Sequence, residues 1–300
     1  MYTTPILFLV FNRPETTRST FELIRRMQPE HLYIAADGPR ENVEGESNRC
    51  MLVRELISNG IDWPCHVKYL YRSNNLGCGR AVREAITWFF SQVEYGIILE
   101  DDCLPNTSFF KFCSEMLDLY KDNERVFHIT GSNFQSGKKI GYGDYYFSEF
   151  IHVWGWASWR RAWDHYDSEM AGYYDMRNTH PQRKLLPWSQ FDEVYNGSID
   201  TWDMQWFFTC LKHNALSIVP NYSLIKNVGF TDTWATHTNF KEPEYIRKAI
   251  QMELNFPLKH PRRVQSNKTA DKYTALKVFG TIKYSPLKIT ISKVKKWLVG

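Results

Sequence analysis

Pro5 to Phe11 reads PILFLVF, an apolar run with no polar side chain in it. It is far shorter than the roughly eighteen residues a membrane span needs. It has the length of a β-strand, and an uninterrupted apolar strand must be covered on both faces. That requirement favours layered folds in which helices flank a sheet. Asn12-Arg13-Pro14 ends the run, and Glu15 to Met27 then carries Thr17, Phe21 and Ile24 at helical spacing, with Leu23 beside them. Leu32 to Ala36 is a second strand, stopped by Asp37-Gly38-Pro39. Arg49 to Ser58 reads as a helix with Leu52, Leu56 and Ile57 on one side. Val67 to Tyr71 follows as a third strand, and Gly79 to Gln92 as a third helix carrying Val82, Ile86, Phe89 and Phe90. Gly96 to Leu99 is a fourth strand. This alternation predicts an α/β fold with a mostly parallel central sheet and helices on both faces.

Ligands of such sheets bind beyond the carboxyl ends of the strands. Here those ends carry Asn12-Arg13, Asp37-Gly38, Asn74-Asn75 and, in the stretch IILEDDCLP, Glu100-Asp101-Asp102. Three adjacent carboxylates repel one another unless a positive charge is near. A hard cation, Mn2+ or Mg2+, takes oxygen ligands and bridges carboxylates to phosphates. The alternative is an exposed acidic turn. Gly77-Cys78-Gly79 follows the third strand and lacks the third glycine of a dinucleotide fingerprint, and no phosphate-loop pattern occurs.

Beyond residue 105 the pattern is less regular. Phe109 to Tyr120 reads as a helix and Arg125 to Thr130 as a strand, followed by a loop from Gly131 to Asp144. Trp154 to Trp163 (WGWASWRRAW) reads as opening a helix with Trp156, Trp159 and Trp163 on one face, the spacing of core packing. Thr201 to Leu211 is a further helix and Leu216 to Val219 a late strand.

The motifs FLVFNRPE (8–15), ADGPR (36–40), NNLGCGRAV (74–82), ILEDDCLP (98–105), WGWASWRRAW (154–163), TWDMQW (201–206) and NVGFTDTWATHT (227–238) together span most of the first 240 residues. The pattern resembles that of GT-A-fold glycosyltransferases, above all bacterial family-two-like enzymes and the N-acetylglucosaminyltransferase I group, whose strand-end motif also reads Glu-Asp-Asp. The resemblance implies a Rossmann-like GT-A fold with an irregular acceptor-binding half. It implies Asp102 as metal ligand, Asp101 at the ribose, and Glu100 at the sugar or a basic neighbour. Asp37 would meet the base or ribose, with Phe11, Asn12 and Arg13 near the base. Arg80 would approach the diphosphate or the triplet. Asp203 would be the base that takes a proton from the acceptor hydroxyl, with Asp200 as the alternative base or as a helix N-cap. His237 would complete the metal shell. Trp202 and Trp206, flanking Asp203, and Trp156 are candidates for stacking on acceptor sugars.

The expected activity is inverting, metal-dependent transfer of a sugar from a nucleoside diphosphate sugar, UDP-linked, to a glycan or lipid-linked glycan. A sugar nucleotidyltransferase would carry a glycine-rich basic loop after the first strand, where this chain has Asn12-Arg13-Pro14-Glu15. A non-catalytic carbohydrate-binding protein would need neither the triplet nor Asp203. Residues 1–105 are expected to form the nucleotide-sugar half and 106–258 the acceptor half of one composite domain, with 259–300 as a basic amphipathic tail. The net charge of +4 is uneven: eleven Lys and Arg stand against one acid, Asp271, after residue 258, and 26 basic against 32 acidic groups before it. Leu287, Ile291, Val294 and Leu298 interleave with Lys293, Lys295 and Lys296, a pattern suited to an anionic membrane surface. No nucleic-acid partner is expected. The six cysteines lack metal or redox spacing and no leader is evident, so reduced thiols and a cytoplasmic location, peripheral on the inner membrane face, are expected.

Overall fold

The computed structural model describes residues 1–231 and 242–281. Its first part runs β1 (Ile6–Val10), α1 (Pro14–Met27), β2 (His31–Ala36), α2 (Glu46–Gly60), β3 (His66–Tyr71), α3 (Cys78–Gln92) and β4 (Tyr95–Glu100). The chain continues through β5 (Cys103–Pro105), α4 (Thr107–Leu119), β6 (Val126–Thr130), β7 (Tyr145–Ser148), β8 (Trp156–Trp159) and α5 (Arg160–Trp163). There follow α6 (Tyr173–Thr179), α7 (Trp188–Tyr195), α8 (Asp203–Lys212), β9 (Leu216–Pro220), β10 (Ile225–Asn227), α9 (Glu244–Arg247) and α10 (Lys268–Lys277).

Eight strands form one sheet in the order β3-β2-β1-β4-β8-β6-β9-β7. All but β7 and β8 run in one direction. The continuous apolar runs are explained by two cores, one on each face. Ile6, Phe8 and Val10 of β1 pack with Phe21 and Ile24 of α1, Val53 and Ile57 of α2, and the phenylalanines of α4. Leu7 and Leu9 pack with Ala85, Ile86 and Phe89 of α3 and with α7 and α8. The inward side of α2 is Cys50, Val53 and Ile57, while Leu52 is exposed. Chain order and strand order part company between β1 and β4, because β2 and β3 lie on one side of β1 and β4 on the other. Such a switch point opens a crevice at the carboxyl ends of its two strands.

Two sequence expectations change. The stretch at Trp156 to Trp159 is a strand, inserted antiparallel between β4 and β6. Its alternation has period two: Trp156 joins the core on the α3 side, and Ala157 and Trp159 the opposite core. The i, i+3, i+7 spacing of tryptophans mimics a helix face, but only Trp163 lies on a helix, α5. Gly155 separates the strand from Trp154. Its φ of +59° and the side chains of Ile225 and Leu99 against its α-carbon leave no place for another residue. Residues 259–281, read from the sequence as part of a separate tail, are packed on the body. Gln135 donates to the Ala270 carbonyl, and Ser148 Oγ donates to the buried Asp271 carboxylate at 2.6 Å. No described helix is long and apolar enough to cross a membrane, and residues 287–298 lie outside the described region.

His128 of β6 is fully buried. Trp206 Nε1 donates to its Nδ1 at 3.2 Å, which leaves the proton on Nε2, 3.0 Å from the His152 carbonyl. Burial holds this imidazole neutral, with a pKa lowered to about 4. The unfolded chain takes a proton near the ordinary value of 6.5 while the fold resists, so the contribution of His128 is whole above about pH 6.5 and is lost as pH falls toward 4. At about 1.4 kcal/mol per pKa unit the loss is on the order of 3 kcal/mol. Urea unfolding at pH 7 and pH 4.5 is expected to show a loss of that order in the wild type relative to His128→Asn. That difference removes Glu100 and Asp271, whose raised values act in the opposite sense, and leaves His128 together with the part of the His152 shift that its charge causes.

Candidate active site

A cavity of about 430 Å3 opens at the switch point. Asn12 and Arg13 after β1, Asp37 after β2, Arg72 after β3 and Glu100 to Asp102 after β4 line it, as do Cys78 of α3 and Asp200 to Asp203 before and within α8. The four polar strand ends read from the sequence therefore meet in one place, through Asn75 at the third.

Arg13 is the pivot of the acidic triplet. Pro14 occupies the first turn of α1 and holds Arg13 in extended conformation (φ −117°, ψ 81°), which aims its side chain along the end of β4. Its guanidinium donates to Asp101 through Nε and Nη2, and Nη1 lies 3.0 Å from Asp102 Oδ2. Thr17 Oγ1 also reaches Asp101, and Thr20 donates to the Asp101 carbonyl at 2.8 Å. The sequence placed Arg13 near the base and Asp101 at the ribose. In the structure they are each other's partners, and Asp101 is 3% exposed. Glu100 lacks a guanidinium of its own. Burial first, then the charges of Asp102 and Asp101, push its pKa up to about 8, against the pull of Arg13.

Asp102 is the carboxylate of the triplet that could hold a cation. Asn227 is the register partner of Cys103 across the β5–β10 pair, and its Nδ2 donates to Asp102 Oδ1 at 3.2 Å. The Asp102 carbonyl accepts from Val228 N, and Gly229 lies so close that a side chain there would collide with the carboxylate. Among the described residues no three Asp, Glu, His or Cys side chains converge as a ready-made metal cage. One carboxylate beside an open cavity suits Mg2+ or Mn2+, which keep waters and complete their shells with substrate phosphate. His237 lies outside the described residues.

Across the cavity, Asp203 is the first residue of α8, where a carboxylate is favoured by the helix dipole. It accepts from Thr201 Oγ1 and from Met204 N at 2.9 Å. Asp200 does not cap α8, whose N-cap is Trp202. Its carboxylate crosses to α3, where Gly79 N donates to it at 3.2 Å. A β-carbon at Gly77 or Gly79 would strike that carboxylate, so the Gly-Cys-Gly turn is a seat for Asp200 rather than for a dinucleotide. Between them lies Cys78, pushed up to about 12 by burial and then by Glu100, Asp203 and Asp200. Asp37 is raised by burial, and its oxygens accept from the amides of Gly38 and Leu76.

Three residues stand elsewhere than expected. Arg80 points away from the cavity, 61% exposed and ion-paired with Glu84 one turn on at 2.7 Å. Helix position 3 faces outward because Cys78, Ala81, Val82 and Ala85 take the cavity side. Trp156 and Trp206 are fully buried, packed with Trp163 in the core, and offer no face to a sugar. Trp202 does line the cavity. Missed in the sequence was Glu46, a fully buried carboxylate at the start of α2. It accepts from Asn12 Nδ2 at 2.7 Å, from Arg40 N at 2.7 Å and from the Arg40 guanidinium. Burial works to raise its pKa, and those hydrogen bonds outweigh it and hold the group ionised. Arg40 is thereby fixed on the cavity wall, 5.8 Å from the centre of the Phe11 ring. Arg40 and Arg72 were legible only as strand-end positions, and nothing local in the sequence marks Glu46.

The strand order 3-2-1-4, in a large and mostly parallel sheet with helices on both faces, makes a Rossmann-like α/β architecture consistent with the GT-A type. No protein-family model matches the chain, and no curated protein does. Among solved structures the chain is similar to mouse xyloside xylosyltransferase 1 in its apo form, at 12% identity over 72% of this chain and 84% of that one, with a TM-score of 0.39. It is also similar to HddC from Yersinia pseudotuberculosis, at 11% identity over 54% and 78%, TM-score 0.32. A third likeness is to 4-diphosphocytidyl-2C-methyl-D-erythritol synthase from Anaerococcus prevotii, at 8% identity over 69% and 95%, TM-score 0.33. At such scores the overlap is loose, and the strand order itself defines the fold.

Gly79→Ala tests the seat. The added methyl must displace Asp200 or the Thr201 backbone, at a cost of about 1–3 kcal/mol for overpacking. Thermal melting is expected to fall by several degrees, and Asp200→Ala in the same chain is expected to restore part of the loss by making room.

Proposed function

We propose that the chain is a metal-dependent, inverting glycosyltransferase. It would take a sugar from a nucleoside diphosphate donor, UDP-linked, and pass it to a glycan or lipid-linked glycan. The observation that carries this reading is the single cavity in which the Glu100–Asp102 triplet faces Asp203, with Arg13, Arg40 and Arg72 on its walls. Cationic side chains at the strand ends suit a diphosphate. Asp203 supplies a carboxylate on the opposite side, held in one orientation by Thr201 and by its own helix.

In a single displacement the acceptor oxygen bonds to the anomeric carbon as the bond to the diphosphate breaks, and the hydroxyl proton passes to Asp203. The leaving diphosphate carries the electron pair away. A cation held by Asp102, when bound, would neutralise the charge that builds on the diphosphate. Trp202 would border the acceptor. The basic composition after residue 258 and the interleaved pattern of 287–298 favour an acceptor at an anionic membrane surface.

Two substitutions separate the roles. Asp203→Asn is expected to retain UDP affinity within about threefold and to lower transfer at least a hundredfold, on the scale of general-base removal. Asp102→Asn is expected to abolish the gain in UDP affinity that Mn2+ gives. Calorimetry and product release assays read both. Transfer at the parent rate by Asp203→Asn would remove the base assignment.

A further inference from the structure

One guanidinium stands between β1 and β4, and it serves two acids at once. Asp101 is held by Nε and Nη2 of Arg13, and Asp102 Oδ2 by Nη1. The side chain is 13% exposed, so this contact is little screened by water. The remaining oxygen of Asp102, Oδ1, already accepts from Asn227. The carboxylate best placed for a cation is therefore satisfied before any ligand arrives.

A bare divalent ion approaching Asp102 would meet the positive Arg13 already paired with that carboxylate, and like charges repel. The same ion carried on a nucleotide-sugar's diphosphate arrives with its charge neutralised, and on free UDP with net negative charge. A guanidinium then gains charge-assisted hydrogen bonds to phosphate oxygens in exchange for the one it gives up. Nη1 can make that exchange alone, because Nε and Nη2 keep the side chain anchored to Asp101. Asp101, in turn, is fixed by Thr17 and Thr20 of α1.

We propose that Arg13 is the resident counter-ion of the triplet, a positioning residue that makes the divalent cation bind together with the donor's diphosphate and not ahead of it. The proposal rests on the reading of this cavity as a nucleotide-sugar site. It assigns Asp101 to holding Arg13 and Asp102 to exchanging Arg13 for the cation. No covalent bond changes in the exchange.

Manganese binding, read from the free-ion electron paramagnetic resonance signal with and without UDP, tests this. In the wild type UDP is expected to tighten Mn2+ binding at least about tenfold. Arg13→Gln removes the competing charge, so Mn2+ alone is expected to bind about tenfold tighter than in the wild type, and the gain from UDP is expected to shrink. Arg13→Lys keeps the charge and is expected to stay within about threefold of the wild type for Mn2+ alone. A folded Arg13→Gln that binds Mn2+ alone no tighter than the wild type overturns the proposal. So does a wild type whose Mn2+ affinity is the same with and without UDP, a comparison that decides the matter even where Arg13→Gln does not fold. Should the wild type bind UDP with no effect of Mn2+, the nucleotide site stands and the counter-ion role is overturned. Should it bind neither UDP nor Mn2+, the reading of the cavity falls and the proposal with it.

Discussion

Adjacent carboxylates at the end of a buried strand need a positive charge, and in this protein Arg13 provides it. That contact depends on the order of the strands. β1 and β4 lie side by side and parallel, with Leu9 opposite Glu100, so the residues that follow each strand emerge at the same edge. Pro14 then fixes the direction in which Arg13 leaves the sheet. The apolar faces of β1 and β4 make their adjacency favourable, and the pairing of a cation with two acids at their ends makes a polar crevice tolerable there.

The second half of the chain is joined to this crevice at two points. The short β5–β10 pair carries Asn227 to Asp102. The glycines of α3 receive Asp200, and that contact places Asp203 at the mouth of the same cavity. Helix α3 thus has an anion at its positive end, supplied from more than a hundred residues away. The donor side and the side bearing the proposed base are held by one another, which is the condition for placing two reacting groups within reach.

The apolar runs and the polar strand ends were legible because burial on both faces removes alternation and leaves strand length as a clean signal. Glu100 to Asp102 and Asp37 stood out for the same reason, charge where a buried strand stops, whereas Asp203 stood out through the resemblance carried by TWDMQW. Partners distant in sequence were not legible. Arg13 and Arg80 are both strand-end or helix-start arginines, and only the fold decides that the first meets the triplet while the second pairs with Glu84. Glu46 looks like any acid at a helix start until Asn12 and Arg40 close over it. The tryptophans of WGWASWRRAW carry helical spacing, and the place between β4 and β6, covered on both faces, selected the strand.

We read this crevice as the binding site of a nucleoside diphosphate sugar. Thermal melting of the wild-type chain against a panel of UDP-, GDP-, dTDP- and ADP-sugars, with and without Mn2+, tests that reading. A ligand at about a hundredfold its dissociation constant adds about 2.7 kcal/mol to the folded state, which is several degrees for a chain of this size. Such a rise is expected for one class of donor, larger in Mn2+ than without it. A melt that no nucleotide-sugar moves in either condition would contradict it.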